Sequence, residues 1–248
     1  MSEHVYDRIG VGYAKRRRSD DRIAAHIAAA LGEARSVLDV GGGTGSYEQS
    51  DRDCIAIDPS RVMIDQRPPD AAPVVQGVAE ELPFPDDTFD AAMAILTLQH
   101  WSDPARGLRE LRRVSRRQVL LTWDAAYYAE NFWLMRDYLP EVAAWERTRA
   151  TFDAARDLLP GCRWVAVPVP HDCIDGFGAA YWRRPEAYLA DDARQSISGI
   201  ALLDDGVADR AMQRLHDDLR SGVWHRRNAG LLELDELDVG YRLVIAEC

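Results

Sequence analysis

Within Ser36-Val37-Leu38-Asp39-Val40-Gly41-Gly42-Gly43-Thr44-Gly45, an apolar run carrying one aspartate leads into four glycines in five positions. Glycine has no Cβ and tolerates positive φ, so a turn of this composition lets a small molecule reach the main chain. The helix expected next would add its unpaired N-terminal N–H groups. Nineteen residues after Asp39, Asp58 ends a second apolar run, Cys54-Ile55-Ala56-Ile57. An ionised carboxylate there can accept both hydroxyls of a ribose. Followed by Pro59-Ser60, it is also suited to cap a helix, and both readings stand. The chemistry is that of holding a nucleoside-bearing cofactor. A dinucleotide fingerprint would continue Gly41-x-Gly43 with a glycine at position 46, where helix and strand pack closely beneath a pyrophosphate. This chain has Ser46 there, which counts against NAD or FAD.

Groups able to move a proton are few. His171 and Asp175 stand in the polar stretch Pro170-His171-Asp172-Cys173-Ile174-Asp175-Gly176-Phe177. They are the expected catalytic pair if that loop reaches a substrate mouth, and solvated loop residues if it does not. His100, in Gln99-His100-Trp101, either meets substrate or belongs to a turn packed under the next helix. Asp124 either lines the carboxyl edge of a sheet, where ligands collect, or caps a helix. Histidines and carboxylates do not cluster at ligand spacing, so no metal is expected. The four cysteines form no Cys-x-x-Cys, and Cys54 reads as a small core residue.

These residues need strands to carry them and helices to cover the strands. An N-terminal arm over residues 5–18, with Tyr6 and Tyr13, leads into a helix over about 20–32, where Ile23, Ile27 and Leu31 recur at helical spacing and Gly32 suits a C-cap. Strands are expected at 36–40, at 54–57, briefly at 73–77, at 89–96 and at 119–123. A helix from about Ser60 must stop by Pro68-Pro69. The stretch Leu82-Pro83-Phe84-Pro85-Asp86-Asp87 reads as a loop, and residues 104–113 as a helix carrying Leu108 and Leu111, with Val114 just beyond. Strands alternating with helices argue for a parallel sheet with right-handed crossovers. Beyond Asp124 the composition shifts to aromatic and helix-forming residues, among them Tyr127, Tyr128, Phe132, Trp133, Tyr138 and Trp145. They read as a helical insertion above the sheet and, with Tyr181-Trp182, as either a lid over an apolar acceptor or core. Strands near 163–169 and 240–246 could close the sheet.

Length and composition suit one α/β domain with a sizeable core. A net charge of −11 disfavours a phosphate backbone as partner. The N-terminus lacks an apolar signal region, and no stretch reaches the roughly 18 residues that span a bilayer. The expectation is a soluble, reduced, cytoplasmic protein without nucleic-acid or membrane partners.

Four motifs stand in order along residues 1–124. They are Ser36–Gly45, then Ile57-Asp58-Pro59-Ser60-x-x-Met63, then Gly77-Val78-Ala79-Glu80-Glu81-Leu82-Pro83-Phe84. The fourth runs from Phe89-Asp90 to Thr97-Leu98-Gln99-His100-Trp101. Together they resemble class I S-adenosylmethionine-dependent methyltransferases, in the branch with the ubiquinone and menaquinone ring methylases. The resemblance implies a Rossmann-like, doubly wound, mostly parallel seven-stranded sheet flanked by helices, with an N-terminal helical arm and a helical insertion after strand five. The resemblance covers about residues 1–124; with the pattern beyond Asp124 added, the expectation is a single domain over 1–248: arm and helix at 1–32, cofactor-binding core at 33–124, helical cap and closing strands at 125–248. The implied cofactor is S-adenosyl-L-methionine and the implied partner a small-molecule acceptor, which the aromatic stretch after Asp124 suits to be apolar or aromatic. Gly41 and Gly43 would admit the methionine portion, with Asp39 supporting the turn. Asp58 would hold the ribose, Pro59 and Met63 would border the adenine, and Ala79 and Glu80 would lie on its other side. Ile95 and Leu96 would pass beneath the sulfonium. Tyr13 and Arg17 match a Tyr-x-x-x-Arg pattern that closes over the cofactor, with Arg17 on the methionine carboxylate. Relatives commonly carry an aspartate where this chain has Val78. Two other readings are an NAD-dependent oxidoreductase and a non-catalytic ligand-binding protein on the same fold.

Overall fold

The computed structural model describes residue 13 and residues 17–149, 151–195 and 197–247. Tyr6 and the rest of the arm before residue 13, with residues 14–16, lie outside the described residues. The first helix, α1 (Asp21–Leu31), begins where Asp20 accepts from the Arg22 N–H at 3.1 Å, and Ile23, Ile27 and Leu31 form its buried stripe. Asp20 is itself buried and also accepts from the Ile174 N–H at 3.2 Å, which ties α1 to the 170–177 loop. The Arg22 side chain holds its carboxyl down at about 2, against the opposing effect of burial.

Next come β1 (Ser36–Val40), β2 (Asp53–Asp58), α2 (Arg61–Ile64), β3 (Val74–Gln76), β4 (Phe89–Ile95), α3 (Pro104–Val114) and β5 (Ser115–Trp123). The second half holds α4 (Ala125–Asn131), α5 (Pro140–Arg149), α6 (Thr151–Leu158), β6 (Arg163–Ala166), β7 (Val169–Pro170), α7 (Asp191–Gln195) and α8 (Ser198–Ala201). It ends with α9 (Asp205–Arg220), α10 (Val223–Arg227), β8 (Glu236–Leu237) and β9 (Tyr241–Glu247). Seven strands form one sheet in the order β3-β2-β1-β4-β5-β9-β6. All pairings are parallel except those of β9, which runs antiparallel between β5 and β6. This is the expected Rossmann-like sheet. Its strands are apolar on both faces because both faces are covered. Along β1, Val37 packs with α1 on one side, while Leu38 and Val40 pack with Leu108, Leu111 and Val114 of α3 on the other. Each such side chain fully withdrawn from water stabilises the fold by about 1.5–3 kcal/mol.

The structure departs from expectation in three connections. No helix follows the glycine turn: residues 41–52 pass to β2 through turns alone. Only seven residues separate Gly45 from β2. As a helix they would rise about 10 Å, short of the roughly 16 Å needed to return along a five-residue strand. Side chains pin the segment instead, with Tyr47 buried and Glu48 paired to Arg67. The helix after Ser60 ends at Ile64, well before Pro68, because Arg67 turns away to bond the Gly43 and Ala72 carbonyls at 3.0 and 2.9 Å. The strand expected over 163–169 is two strands: Pro168, which has no N–H to donate, separates β6 in the main sheet from β7, which pairs with β8.

The aromatic insertion divides between core and cavity. Trp133 and Trp182 are wholly buried, and their indole N–H groups donate to the Trp182 and Val169 carbonyls at 2.8 and 2.9 Å. Trp133 packs edge-on against Tyr138, Tyr188 and Trp224. These rings are core, not lid. No helix among the described residues is long and apolar enough to cross a membrane.

Candidate active site

At the carboxyl ends of β1, β2 and β4, where open α/β sheets collect ligands, the chain encloses a cavity of about 610 Å³. The elements deliver the expected residues in turn. β1 and its turn bring Asp39, Gly41 and Gly43; the end of β2 brings Asp58, Pro59 and Met63. The loop after β3 brings Ala79 and Glu80, the end of β4 brings Ile95 and Leu96, and the arm brings Tyr13 and Arg17. All twelve residues expected at the cofactor line this one space.

Gly41 shows why the turn is glycine. Its φ is 75°, and a Cβ there would stand 2.1 Å from Thr97 Oγ1. Gly43 donates its N–H to Asp58 Oδ2 at 2.9 Å, and Ser60 donates its N–H to Asp58 Oδ1 at 2.8 Å. The cap of α2 is Ser60, whose Oγ accepts from the Met63 N–H at 3.3 Å. Asp58 therefore sets the spacing between the glycine turn and the end of β2. A carboxylate offers about four lone-pair sites, more than two backbone amides use. Beneath the turn, Arg67 donates to the Gly43 carbonyl and pairs with Glu48, both side chains being almost fully buried. Glu80 accepts on one oxygen from the Ser102 N–H, the Ser102 hydroxyl and the Asp103 N–H at 2.6, 2.8 and 3.0 Å. Burial raises its pKa, but these bonds together outweigh it and leave the carboxyl below its usual range. Glu80 thus clamps the start of α3, while Val78 lines the cavity without a side-chain acceptor.

Burial pushes the Asp39 carboxyl up to about 8; the charges of Glu48 and Asp58 add to the rise and Arg67 opposes it. With the folded value above the ordinary 3.8, the stability Asp39 contributes is complete below about pH 4 and is lost as pH rises towards 8. Asp39→Asn is neutral throughout, so its melting temperature is expected to fall less than that of the parent between pH 5 and 8. Parallel melting curves across that range check it, and identical slopes would refute the assignment.

The two residues expected to act as acid and base are not brought to the cavity. Asp175 is wholly buried, and its oxygens accept from Arg17 Nε at 2.5 Å, Arg17 Nη2 at 3.3 Å and the Tyr47 hydroxyl at 2.9 Å. Its partners lie in the arm and the turn after β1, so it fixes the Arg17 guanidinium and stands outside the cavity lining. Arg17 also bonds the Tyr13 hydroxyl and stacks on that ring, 5.1 Å from its centroid. His171 lies half-buried with Nδ1 3.1 Å from the Asp235 carbonyl, outside the cavity lining. Asp124 caps α4 by accepting from the Tyr127 N–H at 3.0 Å. His100 does line the cavity, while its neighbour Trp101 packs against Gly107 of α3. Among the described residues no group of three His, Cys, Asp or Glu side chains could hold a metal ion.

A second cavity of about 60 Å³ adjoins the first and shares Arg17, Leu96 and Gln99 with it. Leu96 stands at the junction with φ 54°, a strained value for a branched residue. Its N–H is held by the Leu121 carbonyl at 2.9 Å and its own carbonyl by Gln99 Nε2 at 2.6 Å. The smaller cavity is walled by Trp123, Tyr128, Phe177 and Tyr241, with Glu146 among them. Sequence reasoning missed Arg67, Glu48 and Glu146, which depend on partners distant in sequence, and quoted Thr97 and Gln99 within a motif without giving either a role.

Residues 38–122 match the family model of a methyltransferase domain. A chloroplastic 2-methyl-6-phytyl-1,4-hydroquinone methyltransferase of Oryza sativa subsp. japonica is 34% identical over 112 residues, 40% of this chain and 31% of that protein. The methyltransferase YcgJ of Bacillus subtilis is 33% identical over 89 residues, 32% of this chain and 35% of the relative. The match thus spans about a third of the length of these curated relatives. Likeness over the whole chain comes from a solved structure, that of a proposed methyltransferase from an antibiotic biosynthesis pathway of Anabaena variabilis. It superposes with a TM-score of 0.79 at 30% identity, covering 94% of this chain and 99% of that one. With overlap that complete, and the methyltransferase domain matched over residues 38–122, the chain belongs to the S-adenosylmethionine-dependent methyltransferase family.

Proposed function

We propose that this protein transfers the methyl group of S-adenosylmethionine to a small-molecule acceptor. The observation that carries the reading is the convergence of four separated motifs on one cavity of about 610 Å³, within the ~300–1,000 Å³ usual for small-molecule sites. The glycine turn fits the cofactor too, since Gly41 and Gly43, both at positive φ, leave their main chain open to this cavity. Asp58 would take the ribose hydroxyls, Met63 and Ala79 would flank the adenine, and Arg17, oriented by Asp175, would meet the methionine carboxylate. When bound, the cofactor supplies a methyl group already activated for in-line displacement. The chain's remaining task is to align the acceptor, which supplies much of the acceleration without a general base. The small aromatic-walled cavity beyond Leu96 supports docking of one small end of the acceptor on that side. Cys54, Cys162 and Cys173 are free thiols, which suits the proposed cytoplasmic setting.

NAD chemistry is disfavoured because the glycine turn is followed by no helix, so no helix N-terminus stands ready for a pyrophosphate. Titration of the purified protein with S-adenosylhomocysteine and with NAD in the same calorimeter tests the choice. The expected result is saturable micromolar binding of S-adenosylhomocysteine and none of NAD; the reverse order would overturn the proposal.

A further inference from the structure

The small cavity has the chemistry of an ammonium site. Its volume is about 60 Å³, while a cavity that holds benzene measures ~150 Å³, so it admits a head group of a few heavy atoms and not a ring. Its walls are aromatic: Tyr241 stands 5.9 Å from Tyr128, 4.9 Å from Phe177 and 6.4 Å from Trp123, centroid to centroid. Glu146 enters from α5, four residues after Val142, and is 8% exposed. Gly199 gives it room, since a Cβ there would stand 3.4 Å from Glu146 Oε1. A second acceptor waits at the junction: Gln99 Oε1 is buried and has no hydrogen-bond partner. The positive charge lining the same space, Arg17, is matched by Asp175. Burial above all, with Tyr241, Tyr188 and Glu146 adding, pushes the Tyr128 phenol well up, so it stays a neutral hydroxyl.

A buried cation is costly unless a carboxylate pairs with it, and aromatic rings lining the same space lower the cost further. Here both are present, in a space the size of a substituted nitrogen. We propose that the acceptor's reactive end is an aliphatic amine, which enters this slot as an ammonium and is held by Glu146 beside the cofactor cavity. The proposal rests on the methyltransferase reading. In the reaction the ammonium gives its proton to the Glu146 carboxylate. The freed nitrogen lone pair then forms the bond to the methyl carbon as the carbon–sulfur pair returns to sulfur. One positive charge leaves on the methylated amine, and the sulfur is left neutral.

The test uses the whole protein saturated with S-adenosylhomocysteine and two unreactive probes of similar shape, trimethylammonium and tert-butanol. Tryptophan fluorescence, with Trp123 in the wall, reports occupancy. Trimethylammonium is expected to bind at least tenfold more tightly than tert-butanol in the parent protein. Glu146→Gln is expected to remove that preference while leaving S-adenosylhomocysteine affinity and the melting temperature unchanged. Equal binding of the two probes by the parent protein, or a preference that survives Glu146→Gln, would overturn the amine proposal alone. Failure of the parent protein to bind S-adenosylhomocysteine would overturn the methyltransferase reading beneath it. If Glu146→Gln does not fold, the ratio of the two probes on the parent protein decides.

Discussion

Asp58→Ala is expected to weaken S-adenosylhomocysteine binding at least a hundredfold while leaving the protein folded. Asp58 accepts from the Gly43 and Ser60 N–H groups, so its removal strikes twice. The two ribose hydroxyls would lose an ionised acceptor, and hydrogen bonds to a charged group are worth about 1.5–3 kcal/mol each. Two of them amount to roughly 3–6 kcal/mol, or two to four orders of magnitude in Kd. The glycine turn also loses the bond that fixes Gly43 relative to β2. The stability cost is smaller because Ser60 still caps α2. A loss of about 1–2 kcal/mol would lower the melting temperature by about 2–8 °C in a chain of this length. Asp58→Asn should fall between, since its amide nitrogen cannot accept. Calorimetry beside a thermal melt separates the two effects. An unchanged Kd for Asp58→Ala would remove the ribose from this residue, and a collapse in melting temperature would make it a structural anchor.

The parts of this site that could be read from sequence are those encoded by neighbours. The bounds of β1 follow from an apolar run that ends in glycines, and α1 from Asp20, an apolar stripe and Gly32. Asp58 and Met63 belong to one short motif, so their joint arrival at the cavity needed no knowledge of the rest of the chain. The missing helix after Gly45 and the strand split at Pro168 have local causes, but the failures within the site involve contacts between distant residues. Nothing around Arg67 announces that it will reach Gly43, Glu48 and Ala72 and so shorten α2. β5 begins four residues earlier than its apolar stretch because the polar residues Ser115, Arg117 and Gln118 pair with β4, and Arg117 and Gln118 also pair with β9. Gln118 is wholly buried there, satisfied by the Ser115 carbonyl at 2.8 Å. Glu146 was equally hidden: α5 mixes apolar and charged residues without a clean stripe, and only α4, α8 and β9 closing around it make a slot. The acceptor half of the molecule is therefore the half that sequence describes least.

Asp175 is the sharpest case, and its replacement carries the second large effect. Its stretch, Cys173-Ile174-Asp175-Gly176, looks like a solvated loop, yet the carboxylate is fully enclosed by Arg17 and Tyr47 from the far end of the chain. Removing one member of a buried ion pair costs about 3–5 kcal/mol because the other charge is left unmatched. Asp175→Ala is accordingly expected to lower the melting temperature by about 6–20 °C and to weaken S-adenosylhomocysteine binding by freeing Arg17 from its pose. A merely structural aspartate would produce the first effect without the second. The double replacement Arg17→Met with Asp175→Leu distinguishes them, since an apolar pair of similar volume can replace a buried ion pair at little cost in stability. It should recover most of the melting temperature and none of the affinity. Its loss of affinity should equal that of Arg17→Met alone, because a residue that acts through Arg17 has nothing further to contribute once Arg17 is gone. If affinity returns along with stability, the arm does not hold the cofactor, and Asp175 serves only to dock α1 and the arm against the sheet.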